Sequence, residues 1–290
     1  MYNPRLDCSF SNNNDSYAQK KFNHKGTGVL TIYASNAVIT NSRFTSNTHT
    51  YGGAIFFRGN TSLTISKSNF SANRAANGGS VYVHPLSAKQ MDISIVDSQF
   101  VRNAANVVSL DSFVPEKVLG YGGALHFNLT GNTDQINCFV SRNNFVKNQA
   151  GSDAEEYLLD GFGGAIYFNS IGNVTFINNS LEENKALKWG GGLHYEEGTH
   201  FYSEGNTFKG NNVRFTFALG GGGGAIFQSR NYTDRDSFYT SKCFSELLIL
   251  EKLTQVTKPL VEARFILWAE CMLLIMLPSM GISLPKKADA

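Results

Sequence analysis

Six carboxylates lie in two insertions of an otherwise regular chain, and paired carboxylates are what glycoside hydrolysis requires. They are Asp111, Glu116, Asp153, Glu155, Glu156 and Asp160. Carboxylates in long insertions are also common as solvated loop charge, which we favour here, or as a calcium site. A pectinase-like set is incomplete, because the Asn-Thr-Asp at 132–134 has no Gly-His-Gly or Arg-Ile-Lys beside it. We therefore assign no catalytic residue.

Other reactive residue types show no pattern of known chemistry. Cys8, Cys138, Cys243 and Cys271 are far apart and form no Cys-x-x-Cys pair, which argues against a disulfide framework and a zinc site. The sequence contains no phosphate loop, nucleophile elbow or His/Glu zinc motif. We predict neither a metal nor a cofactor.

The chain is built from a repeat that contains two sequence motifs, and this repeat must position the candidate residues. Tyr-Gly-Gly-Ala-Ile-Phe-Phe at 51–57 recurs in close variants, each a glycine pair followed by a small residue and a branched apolar residue. A second motif, Phe-x-x-Asn, keeps a constant offset from the glycine pair in most copies, as from Gly52 to Phe70. The period is about 26 residues with insertions, which suits one turn of a β-solenoid.

Alternation within each copy indicates strands. In nearly every copy, apolar residues occur five and seven positions before the Phe or Leu, such as Ile65 and Leu63 before Phe70, so they share one face of a strand. Stacked turns convert each alignment column into a physical ladder, and the asparagine column is expected to pass amide hydrogen bonds from turn to turn. Its members are Asn47, Asn73, Asn103, Asn148, Asn184 and Asn211. The column two residues before the Phe is polar and predicts a turn.

These patterns predict an all-β fold, a single-stranded right-handed parallel β-helix with a short C-terminal helical segment. The β-helix is expected to occupy residues 1–235 in about seven turns, followed by a tail at 236–290 that does not repeat. The insertions at 104–121, 149–162 and 212–222 all leave the same corner of the coil, two of them from adjacent turns. The six carboxylates are therefore expected to approach one another.

Strand parity also predicts a stripe of aromatic and imidazole side chains. If the branched apolar residue after each glycine pair points inward, its successor points outward. The stripe comprises Phe56, Tyr82, His126, Tyr167, His194 and Phe227. Such a stripe suits stacking on sugar rings or contact with a partner protein, whereas packing of loops over it or reversed parity would leave it buried. His126 and His194 are separated by the turn of Tyr167, about 10 Å, and cannot share a metal.

With the glycine motif alternating with Phe-x-x-Asn, the chain resembles the repeats of the chlamydial polymorphic outer membrane proteins over roughly residues 10–230. The resemblance implies a parallel β-helix passenger with adhesive or surface roles. Bacterial members of that family add a secretion signal and a large C-terminal β-barrel, which this sequence does not show. We therefore expect a eukaryotic or partial relative.

The tail differs in composition from the repeats. Residues 245–256 contain helix formers and predict a helix that caps the solenoid. Residues 265–285 are apolar with one charge, Glu270, and precede Lys286 and Lys287. This stretch is long enough for a membrane-spanning helix with a cytoplasmic C-terminus, and the alternatives are a buried helix or translated non-coding sequence.

Composition restricts the partners. A formal net charge of +2, without basic clusters interleaved with aromatic residues, argues against nucleic acid. Asn-x-Ser/Thr sequons at Asn14, Asn60, Asn69, Asn128, Asn173, Asn178 and Asn231 are consistent with secretion. The leading hypothesis is a non-catalytic, adhesin-like scaffold at the cell surface or outside the cell that binds glycans or proteins, with possible membrane association through 265–285. The alternative is a polysaccharide-active hydrolase or lyase that uses the loop carboxylates.

Overall fold

The structure is a computed structural model of the 290-residue chain. It describes residues 5–6, 8–11, 29–33, 36–85, 90–106, 120–129, 136–151, 161–214, 224–229, 239–240, 263–268 and 271–276. Every regular element among them is a β-strand. The chain divides into two compact units, residues 1–246 and 247–290.

The first strands are β1 (Arg5–Leu6), β2 (Ser9–Ser11), β3 (Leu30–Ile32), β4 (Asn36–Thr40), β5 (Arg43–Thr45), β6 (Ile55–Phe57), β7 (Ser62–Ser66), β8 (Asn69–Ser71), β9 (Arg74–Ala75), β10 (Val81–Val83), β11 (Met91–Val96), β12 (Gln99–Val101), β13 (Ala104–Ala105) and β14 (Leu125–Asn128). The remaining strands are β15 (Ile136–Ser141), β16 (Asn144–Val146), β17 (Gln149–Ala150), β18 (Ile166–Ile177), β19 (Ser180–Glu182), β20 (Lys185–Ala186), β21 (Leu193–Glu204), β22 (Thr207–Lys209), β23 (Asn212–Val213), β24 (Ile226–Ser229), β25 (Tyr239–Thr240), β26 (Ala263–Trp268) and β27 (Cys271–Met276).

Three parallel sheets run along the first unit. One contains seven strands in the order β2, β5, β8, β12, β16, β19, β22, and another contains β9, β13, β17, β20 and β23. The 13-stranded sheet has two columns, one through β4, β7, β11 and β15 and the other through β3, β6, β10 and β14, because β18 and β21 belong to both. Each strand pairs with the equivalent strand of the next turn, so the repeats stack copy on copy as a parallel β-solenoid.

The core fills the bore of this coil with side chains that stack in register. Phe44, Phe70, Phe100 and Phe145 are fully buried, and their successive ring centroids lie 4.9, 4.8 and 4.9 Å apart with nearly parallel planes. In β4 and β7 half-buried residues alternate with buried ones, as a period of two requires. The branched apolar column points inward, which is the condition on which the predicted stripe depends, since Ile55, with its equivalents in the next turns, belongs to the bore core.

The predicted asparagine ladder is present. Asn103 Oδ1 accepts hydrogen bonds from the backbone N–H and the Nδ2 of Asn73, each at 3.0 Å. Asn103 Nδ2 donates to Asn148 Oδ1 at 3.0 Å and to the Phe70 carbonyl at 2.9 Å. The same side-chain bond connects each neighbouring pair from Asn47 to Asn211. Every polar atom of the buried Asn103 carboxamide is therefore satisfied by the adjacent turns.

A second ladder follows the other polar column. Ser98 donates its backbone N–H to Asn143 Oδ1 at 2.9 Å, and Asn143 Nδ2 donates to Asn179 Oδ1 at 3.1 Å. The residue before each described ladder position in both columns has a positive φ, as at Arg102 (55°) and Arg142 (54°). Left-handed backbone thus turns the chain inward at both corners, and the ladder residue ties the turn to the next copy.

The two positions of each glycine pair require glycine for different reasons. Gly122 has a φ of +63°, and a Cβ there would lie 2.0 Å from the Leu125 carbonyl oxygen. Gly123 has ordinary backbone, but a Cβ would lie 2.0 Å from the carbonyl oxygen of Gly164 in the next turn. The first glycine therefore permits the bend, and the second permits the close approach of neighbouring turns.

In the second unit, β26 and β27 pair as an antiparallel hairpin through Trp268 and Cys271. A helix over 265–285 is therefore wrong for the residues of this stretch that the structure describes. A continuous apolar run does not distinguish strand from helix by periodicity. Among the described residues, none belongs to a helix of the length and apolar character needed to span a membrane. The predicted helix at 245–256 lies outside the described residues.

Candidate functional site

The predicted stripe faces away from the bore but is not exposed. Five of its members are buried, with exposed fractions of 4% for Phe56, 6% for Tyr82, 2% for His126, 2% for Tyr167 and 3% for His194. The prediction of an accessible stripe is wrong for these five, and reversed parity is not the cause, because the branched apolar residues occupy the bore. The side chain of Phe227 lies outside the described residues.

Aromatic residues that precede the glycine pairs cover the stripe. Tyr51 stacks on Tyr82 with ring centroids 5.2 Å apart, and Tyr121 stacks on Tyr167 at 4.5 Å. Phe162 lies 5.4 Å from His194. We call these eight side chains the outer aromatic cluster: Tyr51, Phe56, Tyr82, Tyr121, His126, Phe162, Tyr167 and His194. The signal missed in the sequence was the aromatic residue directly before most glycine pairs, which supplies this cover.

His126 lies at the centre of the outer aromatic cluster. Its ring meets Tyr82, Tyr167 and Tyr121 edge-on, at centroid distances of 4.7, 5.0 and 5.4 Å. Neither ring nitrogen has a hydrogen-bond partner among the described residues. Burial holds the pKa of His126 well below its usual value, and nearby His84 lowers it further. The neutral imidazole is thus favoured, and its edges contact aromatic faces.

His194 occupies the equivalent position two turns on. Its ring meets Tyr167 edge-on at 5.1 Å, so Tyr167 separates it from His126. Burial lowers the pKa of His194 to about 3. Both histidines are therefore neutral near pH 7 and act as aromatic packing groups.

Polar groups border the outer aromatic cluster. Asn128 Nδ2 donates to the Tyr82 hydroxyl at 2.9 Å, and the Tyr167 hydroxyl donates to the Glu196 carboxylate. The Arg58 guanidinium lies over the Phe56 ring at 5.4 Å from its centroid. These contacts satisfy the phenol hydroxyls at the edge of the cluster and fix the rings.

Metal and thiol chemistry find little support in the described part of the chain. It contains no group of three or more His, Cys, Asp or Glu side chains placed to hold a metal ion. Cys8 is exposed, whereas Cys138 is buried in the core, where burial raises the pKa of its thiol. Cys243 lies outside the described residues, as does the side chain of Cys271.

The bases of the first two insertions lie side by side. The first leaves after β13 and the second after the adjacent β17, where the Gly151 N–H donates to the Ala105 carbonyl at 2.9 Å. Where the insertions return, the Phe162 N–H donates to the Gly120 carbonyl at 3.3 Å. The third leaves β23, which β20 separates from β17. The six carboxylates lie outside the described residues.

A polar surface follows the outward side of the column from β4 to β21. Asn173 Nδ2 donates to Asn137 Oδ1 at 3.1 Å, and Asn137 Nδ2 donates to Asp92 Oδ1 at 3.0 Å. In the adjacent row, Phe139, Thr175 and Tyr202 are in register on successive turns. We call these six residues, Asp92, Asn137, Asn173, Phe139, Thr175 and Tyr202, the outer polar face. Tyr202 is 37% exposed and Phe139 is half-buried, so aromatic surface is accessible beside hydrogen-bonding groups.

Comparisons with protein-family models, curated proteins and solved structures found no match to this chain.

Proposed function

We propose that this protein is a non-catalytic surface or extracellular scaffold, adhesin-like, that binds glycans or proteins along its stacked turns. The observation that carries this proposal is the outer polar face. Its side chains repeat at the turn spacing of about 4.8 Å, and the hydrogen bonds along the row hold them in place. A rigid row of amide, carboxylate and hydroxyl groups beside aromatic rings suits an extended partner with a repeating structure.

The two aromatic side chains of the outer polar face are spaced so that sugar rings could stack on both. Phe139 and Tyr202 stand two turns apart, about 10 Å at the parallel strand spacing. Thr175, between them, leaves room above the sheet because its side chain is short. Sugar rings that stack on the two aromatic side chains would present hydroxyls to Asn137 and Asn173. The outer aromatic cluster, by contrast, contributes rigidity, because its rings pack against one another and six of the eight are buried.

We further propose that the coil is a single-stranded right-handed β-helix related to the chlamydial polymorphic outer membrane proteins. Parallel strands joined through crossover connections are right-handed in nearly all proteins. The glycine pair and the Phe-x-x-Asn motif have separate structural roles, at the bend and at the ladder, which supports a shared repeat over a chance resemblance.

The binding proposal is tested with the full chain on a panel of polysaccharides and surface glycoproteins, with dissociation constants measured at fixed salt. We expect binding to at least one extended glycan or glycoprotein, weakened about tenfold or more by Tyr202→Ala. Tyr33→Ala is the matched control, because Tyr33 is 61% exposed but lies away from the outer polar face. Absence of binding across the panel would refute the proposal.

The alternative is a polysaccharide-active enzyme that uses the insertion carboxylates. The hydrogen bond between Gly151 and Ala105 supports this alternative, because it shows that the first two insertions begin on adjacent strands. Incubation of the protein with the same polysaccharides, followed by measurement of reducing ends and unsaturated products, tests this function. Activity that disappears in Asp153→Asn with Asp160→Asn would establish the enzyme, and no activity in the parent protein would exclude it on those substrates.

A further inference from the structure

The sequons of the chain differ in how their asparagines are placed. Five of the seven acceptor asparagines lie in the described residues: Asn60, Asn69, Asn128, Asn173 and Asn178. Asn60 and Asn178 have exposed side chains, whereas the other three are half-buried. The folded protein therefore offers space for a bulky substituent at two of the five.

Contacts of the three half-buried asparagines explain the difference. Asn128 Nδ2 donates to the Tyr82 hydroxyl at 2.9 Å, and Asn173 Nδ2 donates to Asn137 Oδ1 at 3.1 Å. Asn69 lies within β8, which pairs on both sides with β5 and β12, and its carboxamide oxygen is buried. These three half-buried side chains therefore leave less space for a sugar than the exposed Asn60 and Asn178.

Asn60 and Asn178 lie between strands, and both have exposed side chains. The Asn178 backbone N–H donates to the Glu204 carbonyl at 2.9 Å, which holds its backbone against the next turn. Asn60 precedes β7 in a bend, and Asn178 occupies the left-handed turn between β18 and β19 with a φ of 54°. The neighbour of Asn178 on the next turn is Gly205, and a Cβ on that glycine would fall 2.3 Å from Asn178 Oδ1. The missing side chain of Gly205 thus makes room for the Asn178 carboxamide, and the Asn178 side chain remains exposed.

We propose that Asn60 and Asn178 are N-glycosylation sites of this protein. In the reaction, the Asn Nδ2 attacks the anomeric carbon of an oligosaccharide carried on a lipid diphosphate. The new N–C bond replaces the C–O bond to the diphosphate, the lipid diphosphate leaves, and the amide loses one proton to a base of the transferase. The hydroxyls required by the two sequons belong to Ser62 and Ser180. This inference rests on the proposed extracellular location.

The test uses the native protein and the full chain secreted from a eukaryotic cell. Release of glycans by peptide N-glycosidase in heavy-oxygen water converts each modified asparagine to a labelled aspartate, which peptide mass spectrometry locates. We expect label at Asn60 and at Asn178 in both preparations. An unlabelled Asn60 or Asn178 in either preparation overturns the assignment.

Substitutions identify each site without changing the asparagine. Ser62→Ala should abolish the label at Asn60, while Thr61→Ala retains the sequon and should leave the label in place. Ser180→Ala should abolish the label at Asn178. Glu182→Ala is its control, since it removes only the carboxylate that accepts the Ser180 hydroxyl bond at 3.0 Å. Label that persists at Asn60 in Ser62→Ala, or at Asn178 in Ser180→Ala, would not come from sequon glycosylation and would overturn the assignment of that site.

Failure of this inference is distinct from failure of the proposed function. A protein that binds extended glycans but carries no label at Asn60 and Asn178 retains its binding role and loses these sites. A protein labelled at both sites that binds nothing on the panel keeps the modification sites and loses the proposed function.

Discussion

Tyr121 stacks on Tyr167 of the next turn, with ring centroids 4.5 Å apart and an angle of 8° between the ring planes. Tyr121 precedes a glycine pair, whereas Tyr167 follows one, so the bend at the glycines folds one aromatic residue over another. The same arrangement encloses His126, which contacts both rings. The outer aromatic cluster is consequently a second packed layer outside the bore.

Enclosure of two neutral histidines predicts acid sensitivity. The pKa of His194 falls from 6.5 to about 3 on burial, and that of His126 is also lowered. Below pH 6.5 these histidines bind protons in the unfolded chain but not in the folded chain, so the free energy of unfolding should decrease as the pH falls. The slope is at most about 1.4 kcal/mol per pH unit for each histidine. Urea unfolding at pH 7.5, 6.0 and 5.0 measures it.

A double variant isolates the histidines. His126→Phe with His194→Phe should flatten the dependence between pH 6.5 and 5, because phenylalanine fills the same aromatic positions without titrating. Asp97, whose pKa is lowered mainly by its hydrogen bond from Arg142, loses its favourable charge only at lower pH. A double variant that kept the parent slope would contradict this origin.

The asparagine ladder predicts a large loss of stability from one substitution. Asn103→Ala removes the four hydrogen bonds of the Asn103 carboxamide, two accepted from Asn73 and two donated to the Phe70 carbonyl and Asn148 Oδ1. The Asn73 backbone N–H loses its side-chain acceptor, whereas Asn148 Oδ1 keeps the bond from the Asn103 backbone N–H. We expect a cost of about 2–5 kcal/mol, measured as the free energy of unfolding in urea. Asn144→Ala, at an exposed position of β16, should cost under about 0.5 kcal/mol. Equal costs for the two variants would show that the ladder adds little.

The second glycine of a pair should tolerate no side chain. Gly123→Ala would place a Cβ 2.0 Å from the Gly164 carbonyl oxygen, and backbone of the adjacent turn cannot move without breaking the parallel pairing. Soluble yield and the thermal unfolding midpoint should both fall sharply. Gly224→Ala is the control, because its nearest described atom would lie at an ordinary contact distance of 3.4 Å. A folded Gly123→Ala protein with the parent midpoint would refute the close approach.

Much of the fold was predictable because stacked copies repeat their environment. The Phe-x-x-Asn motif identified both the Phe44 stack and the Asn103 ladder, since identical residues in successive copies contact each other. Burial of the stripe was not predictable from parity, which says only that Tyr82 faces away from the bore. Tyr51 covers it through a bend of the backbone that strand alternation does not report. For 265–285 the apolar run lacked periodicity, so strand and helix were equally consistent with it.

Left-handed turn residues offer a route to greater stability. Ala72 is exposed and has a φ of 53°, a conformation that costs an L residue about 1 kcal/mol and glycine almost nothing. Ala72→Gly also loosens the unfolded chain, which offsets part of the gain. We expect a net stabilisation of about 0.5 kcal/mol in urea unfolding. Ser71→Gly, one residue earlier and within β8, should instead destabilise by about 0.5–1 kcal/mol, because strand backbone gains nothing from glycine and the hydrogen bond between the Ser71 and Thr45 hydroxyls is lost. If both variants lost stability equally, the positive φ at Ala72 would not be a source of strain.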